Sequence, residues 1–287
     1  MVESKQTTLL SGQLDTLVAF AIIAFLVNWI AWYNGFYKFP KGKPSVPVPV
    51  TFFQVICVFG IYLGIMYFGN IFIASILQRF FTLSETFAGF FQFITSSCVL
   101  FALYLFCKTQ DKTIIHKIWK DPASPSTIMQ DFGLGILIWF ISYPIVMVIS
   151  SLCEIMVVNV FHLVSHEQIV VQYLKSIFSY PFLLTVMLLI VLVLAPITEE
   201  FLFRGFLQNF FKKHLGRKAA ILLASFCFAL FHYSQGQAAG NIPLIVSLFA
   251  FSCFLGFIYE RQGSLFANIG LHMMFNLATT LMIAFDL

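Results

Sequence analysis

Charge is what this sequence lacks most. Lys, Arg, Asp and Glu make up 10% of its 287 residues, against about 25% in soluble globular chains. So few charges cannot clothe a soluble domain of this length. The net charge of +4 is scattered over short loops, which points away from a nucleic-acid partner and toward membrane topology. Cysteine spacing is equally uninformative for metals or disulfides. The six cysteines, Cys57, Cys98, Cys107, Cys153, Cys227 and Cys253, form no CxxC pair and sit in or beside apolar runs, where they read as small buried hydrophobes. There is no HExxH and no internal repeat.

What is abundant is apolar sequence: 60% hydrophobic residues and a mean hydropathy of +0.93. It arrives in runs of roughly 18 residues or more, the length that crosses ~30 Å of hydrocarbon. Eight spans are predicted, at about 14–33, 51–78, 87–106, 132–163, 177–211, 219–233, 242–258 and 264–284. The expected fold is therefore all-α, a polytopic membrane bundle of about eight transmembrane helices. The polar first dozen residues lead into a run longer than a signal-peptide core, so the first span is expected to stay as a helix.

Basic residues choose the sides of the membrane. Lys38, Lys41 and Lys43 fall in the first loop, Lys108, Lys112, Lys117 and Lys120 in the third, Lys212, Lys213, Arg217 and Lys218 in the fifth, and Arg261 in the seventh. Lys5, Arg79 and Lys175 fall on the opposite side. The positive-inside rule then places both termini outside the cytoplasm. The first loop, KFPKGKPSVPVPV, reads as an extended linker because its prolines cannot continue a helix.

An ionisable residue inside a span costs roughly 2.5–3.5 kcal/mol on insertion scales and is a functional candidate by default. Most acids fall in loops. The exceptions are Glu154 in the fourth span and Glu199 and Glu200 in the fifth, accompanied by Arg204, by His232 in the sixth, and by His272 and Asn276 in the eighth. Glu154, with Asn159 and His162, lies near a span end, where solvation accounts for it. Glu200 and Arg204 are i and i+4 neighbours and can pair. Glu199 is turned about 100° from Glu200 and cannot share that partner in the same way. The helix geometry alone leaves open which glutamate is free.

Depth brings the candidates together. Counted inward from the basic loops at ~1.5 Å per residue, Glu199 lies at ~18 Å, His232 at ~21 Å and His272 at ~16 Å. Phe228 and His232 are four apart, as are His272 and Asn276, so each pair occupies one helical face. Carboxylate, imidazole and amide at one depth suit water activation at an amide bond. On this reading Glu199 acts on water with His232, and His272 and Asn276 hold the oxyanion.

These residues resemble the CPBP family of intramembrane proteases, also called CAAX protease and bacteriocin-processing or Abi proteins. The family's three motifs, EExxxR, FxxxH and HxxxN, stand here as Glu199, Glu200 and Arg204, as Phe228 and His232, and as His272 and Asn276. The resemblance covers roughly residues 181–280. It divides the chain into N-terminal spans of unassigned role (1–175) and a catalytic core (176–287). It implies peptide-bond hydrolysis within the membrane, either trimming of prenylated CAAX tails or processing of a membrane-associated peptide. It also implies an integral protein of the cell membrane, the inner one in a bacterium. Metal dependence stays open: a carboxylate and imidazole pair needs no cofactor, whereas Glu200, His232 and His272 would supply three zinc ligands. Two other readings are a proton-coupled transporter and a non-catalytic scaffold or immunity protein with the same fold. The sequence carries no signal for substrate identity or oligomeric state.

Overall fold

The computed structural model describes residues 2–39, 48–76 and 85–285. Arg79, Lys41 and Lys43, with most of the proline-rich first loop, lie outside the described residues. Eleven α-helices occur among the described residues: α1 (Val2–Tyr33), α2 (Phe52–Ile76), α3 (Glu85–Lys108), α4 (Lys112–Trp119), α5 (Ile128–Ile155), α6 (Ile169–Ile177), α7 (Pro181–Leu189), α8 (Ala195–Glu200), α9 (Asn209–Leu230), α10 (Asn241–Gln262) and α11 (Leu265–Ala284). Short π-helical segments at Met156–Val160, Ile190–Leu194 and Phe201–Gln208 continue α5, α7 and α8.

Seven stretches among the described residues are long and apolar enough to cross a membrane. Six coincide with predicted spans. The seventh, Pro181–Leu230, runs 50 residues, about 75 Å of helix at 1.5 Å per residue, more than twice the hydrocarbon thickness. It folds back at Gly216, whose φ of 79° and ψ of 172° break the helix, a conformation that the missing Cβ allows. The fifth and sixth predicted spans thus lie on either side of one glycine, and the chain is a multi-pass helical bundle of about eight spans.

Two short helices were not expected. The sequence between Lys112 and Trp119 reads as a basic loop, yet it forms α4, with Asp111 accepting the Thr113 N–H at 2.7 Å as its N-cap and Ile118 fully buried. Lysines at Lys112 and Lys117 masked the apolar face of Ile115, Ile118 and Trp119. The other is α6. Two acids left to loops by sequence reading are buried as well. Asp131 pairs with Lys120 at 2.5 Å and Glu260 with Lys212 at 2.8 Å, each stapling a helix end to its neighbour.

The last third of the chain sits against α5. Helix α11 packs along α5 so closely that a Cβ on Gly135 would collide with the Ala267 carbonyl and one on Gly270 with the Phe132 carbonyl. Small residues at a helix crossing permit this approach in membranes, where packing rather than the hydrophobic effect holds helices together. Helix α10 packs against α9 and α5, while α1 covers the outer side of α5. Phe201, Phe203, Phe206 and Phe228 fill the core around α8. Val18, Ile22, Phe25 and Trp29 of α1 stay exposed, as residues facing lipid do.

Candidate active site

The two glutamates end a six-residue α-helix held between two π segments. Such single-turn widenings concentrate at functional sites. In the first π segment the Ala195 N–H bonds back to the Ile190 carbonyl, five residues earlier. Continuing that register, the Val191 carbonyl would await the N–H of residue 196, which is proline and has none. The Asn276 amide supplies the missing donor, from Nδ2 to the Val191 oxygen at 2.8 Å. Pro196 therefore creates a demand that α11 meets.

Glu200 and Arg204 form an enclosed ion pair, as their spacing predicts. Arg204 Nη1 donates to Glu200 Oε1 at 3.0 Å, and the two side chains are 1% and 0% exposed. Burial of both charges is tolerable because nearly every polar atom finds a partner. Arg204 Nη2 donates to Ser252 Oγ at 2.6 Å and to the Ser252 carbonyl at 3.3 Å. Its guanidinium also lies 4.5 Å from the Phe228 ring centroid. Glu200 Oε1 accepts from His272 Nδ1 at 2.8 Å, and Oε2 accepts from Asn268 Nδ2 at 3.3 Å. The same face continues one turn on, where Gln208 Nε2 donates to the Gly256 carbonyl at 3.1 Å and to Glu260 Oε1 at 3.2 Å.

Glu199 faces elsewhere, as a rotation of about 100° requires. Its Oε2 lies 3.8 Å from Nε2 of His232 and 3.8 Å from Nε2 of His272, beyond direct hydrogen-bond range. That oxygen is buried and has no hydrogen-bond partner. Both rings are oriented by their other nitrogen. His232 Nδ1 lies 2.8 Å from the Phe228 carbonyl, so it carries the proton. His272 Nδ1 donates in the same way to Glu200. In the neutral rings Nε2 is then the acceptor nitrogen of each, and both lie 3.8 Å from one carboxylate oxygen. The Phe228 ring packs against both imidazoles, 4.8 Å from His232 and 5.9 Å from His272. Exposure differs across the group: His232 is 29% and Glu199 14% open, against 5% for His272. Access is from the Glu199–His232 side.

Five of the six predicted residues, Glu199, Glu200, Arg204, His232 and His272, thus meet at one place. Asn276 lies one helical turn beyond His272, bonded to Val191. Asn268 and Ser252 escaped sequence reading. Asn268 had a signal, since it stands four before His272 and eight before Asn276 on one face. Ser252 had none, being one serine in an apolar helix.

The zinc set Glu200, His232 and His272 is not turned on a common point. Glu200 is occupied by Arg204, by Asn268 and by Nδ1 of His272, while the open Nε2 atoms of both histidines face Glu199. Among the described residues, no group of three or more His, Cys, Asp and Glu side chains is arranged to hold a metal ion.

Residues 181–278 match the model of the Rce1-like family, described as type II CAAX prenyl endopeptidase Rce1-like. The matched segment contains all three motifs and agrees with the CPBP resemblance. No curated protein matches the chain, and no solved structure matches it.

Proposed function

We propose that this chain is an intramembrane endopeptidase of the CAAX type, hydrolysing a peptide bond of a membrane-anchored protein with water activated by Glu199. The observation that carries the reading is the single oxygen Glu199 Oε2, buried, lacking a protein partner, and placed 3.8 Å from two imidazole nitrogens. A gap of this length between polar atoms is one that a water can bridge. The family match over residues 181–278 supplies the reaction class.

In this account Glu199 takes a proton from water as the oxygen attacks the scissile carbonyl carbon. His232, with its ring fixed by the Phe228 carbonyl, orients that water through Nε2. The leaving amine then takes the proton from Glu199, so that carboxylate serves as base and then acid. Arg204 and Glu200 do not touch the reacting atoms; they fix the ring of His272 through Nδ1. As an imidazolium, His272 would hold Glu200 with Nδ1–H and the oxyanion with Nε2–H, joined by the second amide hydrogen of Asn276. No step needs a metal ion.

The test is cleavage by protein purified and reconstituted in vesicles. Peptides carrying a CAAX tail are offered with and without a C15 or C20 isoprenoid on cysteine, beside an unlipidated transmembrane peptide. Selective cleavage of the lipidated tail supports the CAAX reading, and cleavage of the transmembrane peptide alone replaces it with processing of another substrate class. Exhaustive chelation should leave the rate unchanged. A loss restored by added zinc would overturn the metal-free account.

A further inference from the structure

Behind the glutamates, on the other side of their helix, lies a cavity of about 600 Å³. Its apolar wall is formed by Leu103, Ile115, Trp119, Ile197 and Phe201. Ile197 and Phe201 are four residues apart and share a face of the catalytic span. Glu199 is two residues from each, or about 200° around the axis. The cavity is therefore not the place where substrate meets Glu199.

Its formally charged groups, Lys108 and Lys112, are of one sign. Lys108, Lys112 and His116 contribute to the lining from the end of α3 and the outer face of α4. All three are exposed, and among the described residues neither lysine pairs with a carboxylate. Lys108 Nζ stands 5.0 Å over the Tyr104 ring, beside the cavity. An apolar chamber within a spanning bundle, rimmed by cations where α3 ends, has the two chemistries of an acidic lipid: chain below, phosphate above. We propose that this cavity binds one anionic phospholipid, its acyl chain against Leu103, Ile115 and Ile197 and its phosphate at Lys108, Lys112 and His116. Trp119 ties the cavity to the catalytic helices, stacking on Phe201 at 5.4 Å and lying 5.8 Å from Phe266 at the start of α11.

Trp119 also supplies the readout, which is independent of proteolysis. The protein is reconstituted with phosphatidylglycerol or phosphatidylcholine carrying the same brominated chain, and the Trp119 signal is taken as wild type minus Trp119→Phe. The half-quenching lipid fraction should be about thirtyfold lower for phosphatidylglycerol, as two phosphate-facing lysines imply at about 1 kcal/mol each. The Lys108→Gln/Lys112→Gln variant, altered only at exposed positions, should remove that preference. Native mass spectrometry of the unaltered chain from mixed lipid should show one retained phosphatidylglycerol, absent from the lysine variant. Equal quenching by the two headgroups, a preference that survives the lysine changes, or its abolition by excess inorganic phosphate would each overturn the proposal, the last by showing a site for free anions.

Discussion

Glu199 and His232 stand on different spans with Oε2 and Nε2 3.8 Å apart, while the adjacent Glu200 is enclosed with Arg204 at 3.0 Å. Two neighbouring carboxylates have thus been given opposite surroundings. One faces an opening and two imidazoles, and the other is consumed by structure.

Removing one member of the enclosed pair leaves an uncompensated charge in the bundle. Arg204→Met is expected to cost about 3–5 kcal/mol of stability, whereas Glu199→Gln, at a carboxylate oxygen with no partner to lose, should stay within about 1 kcal/mol. Thermal unfolding of both variants in one detergent checks this. Equal melting temperatures would contradict the division of roles.

The link between Pro196 and Asn276 predicts a non-additive pair. Asn276→Ala strands the Val191 carbonyl and should destabilise by about 1–3 kcal/mol. In a Pro196→Ala background residue 196 can donate to that carbonyl itself, and the same substitution should cost clearly less. A double-mutant cycle that closes to additivity would show that proline does not create the demand.

Asn268 bridges α11 to two other spans, donating to Glu200 Oε2 at 3.3 Å and to the Leu255 carbonyl at 2.6 Å. Asn268→Leu should lower stability by about 1–3 kcal/mol. It should also slow cleavage, because Glu200 loses a support that holds it on His272. An unchanged rate would place Asn268 outside the site's framework.

Glycine at the α5–α11 crossing makes a purely steric prediction. Gly270→Val places methyl groups against the Phe132 carbonyl and should destabilise by about 1–3 kcal/mol or more. Gly133, next to Phe132 in α5 but with nothing within 4 Å of where its Cβ would stand, serves as the control: Gly133→Ala should be tolerated. The comparison is read by unfolding.

Much of this arrangement was legible in the chain. Scarce charge made each buried ionisable residue conspicuous, and helical periodicity carried Glu200 to Arg204 and His272 to one side of its span. Depth counting placed Glu199, His232 and His272 at one level, and the structure joins them there. Other features depend on partners distant in sequence. Ser252 matters only because Arg204, 48 residues earlier, reaches it. The widened turns around α8 leave no mark in residue type beyond Pro196. The amphipathic helix α4 was hidden by its own lysines, which read as topology signals. The zinc set named Glu200 because spacing alone does not say which carboxylate turns toward the imidazoles.

The most direct measurement compares initial cleavage rates of a prenylated CAAX peptide by wild type, Glu199→Gln and His232→Ala, each reconstituted and each shown to melt near the wild-type temperature. The account predicts losses of about 10²–10⁴-fold for a missing acid–base group. Wild-type rates in both variants would contradict it.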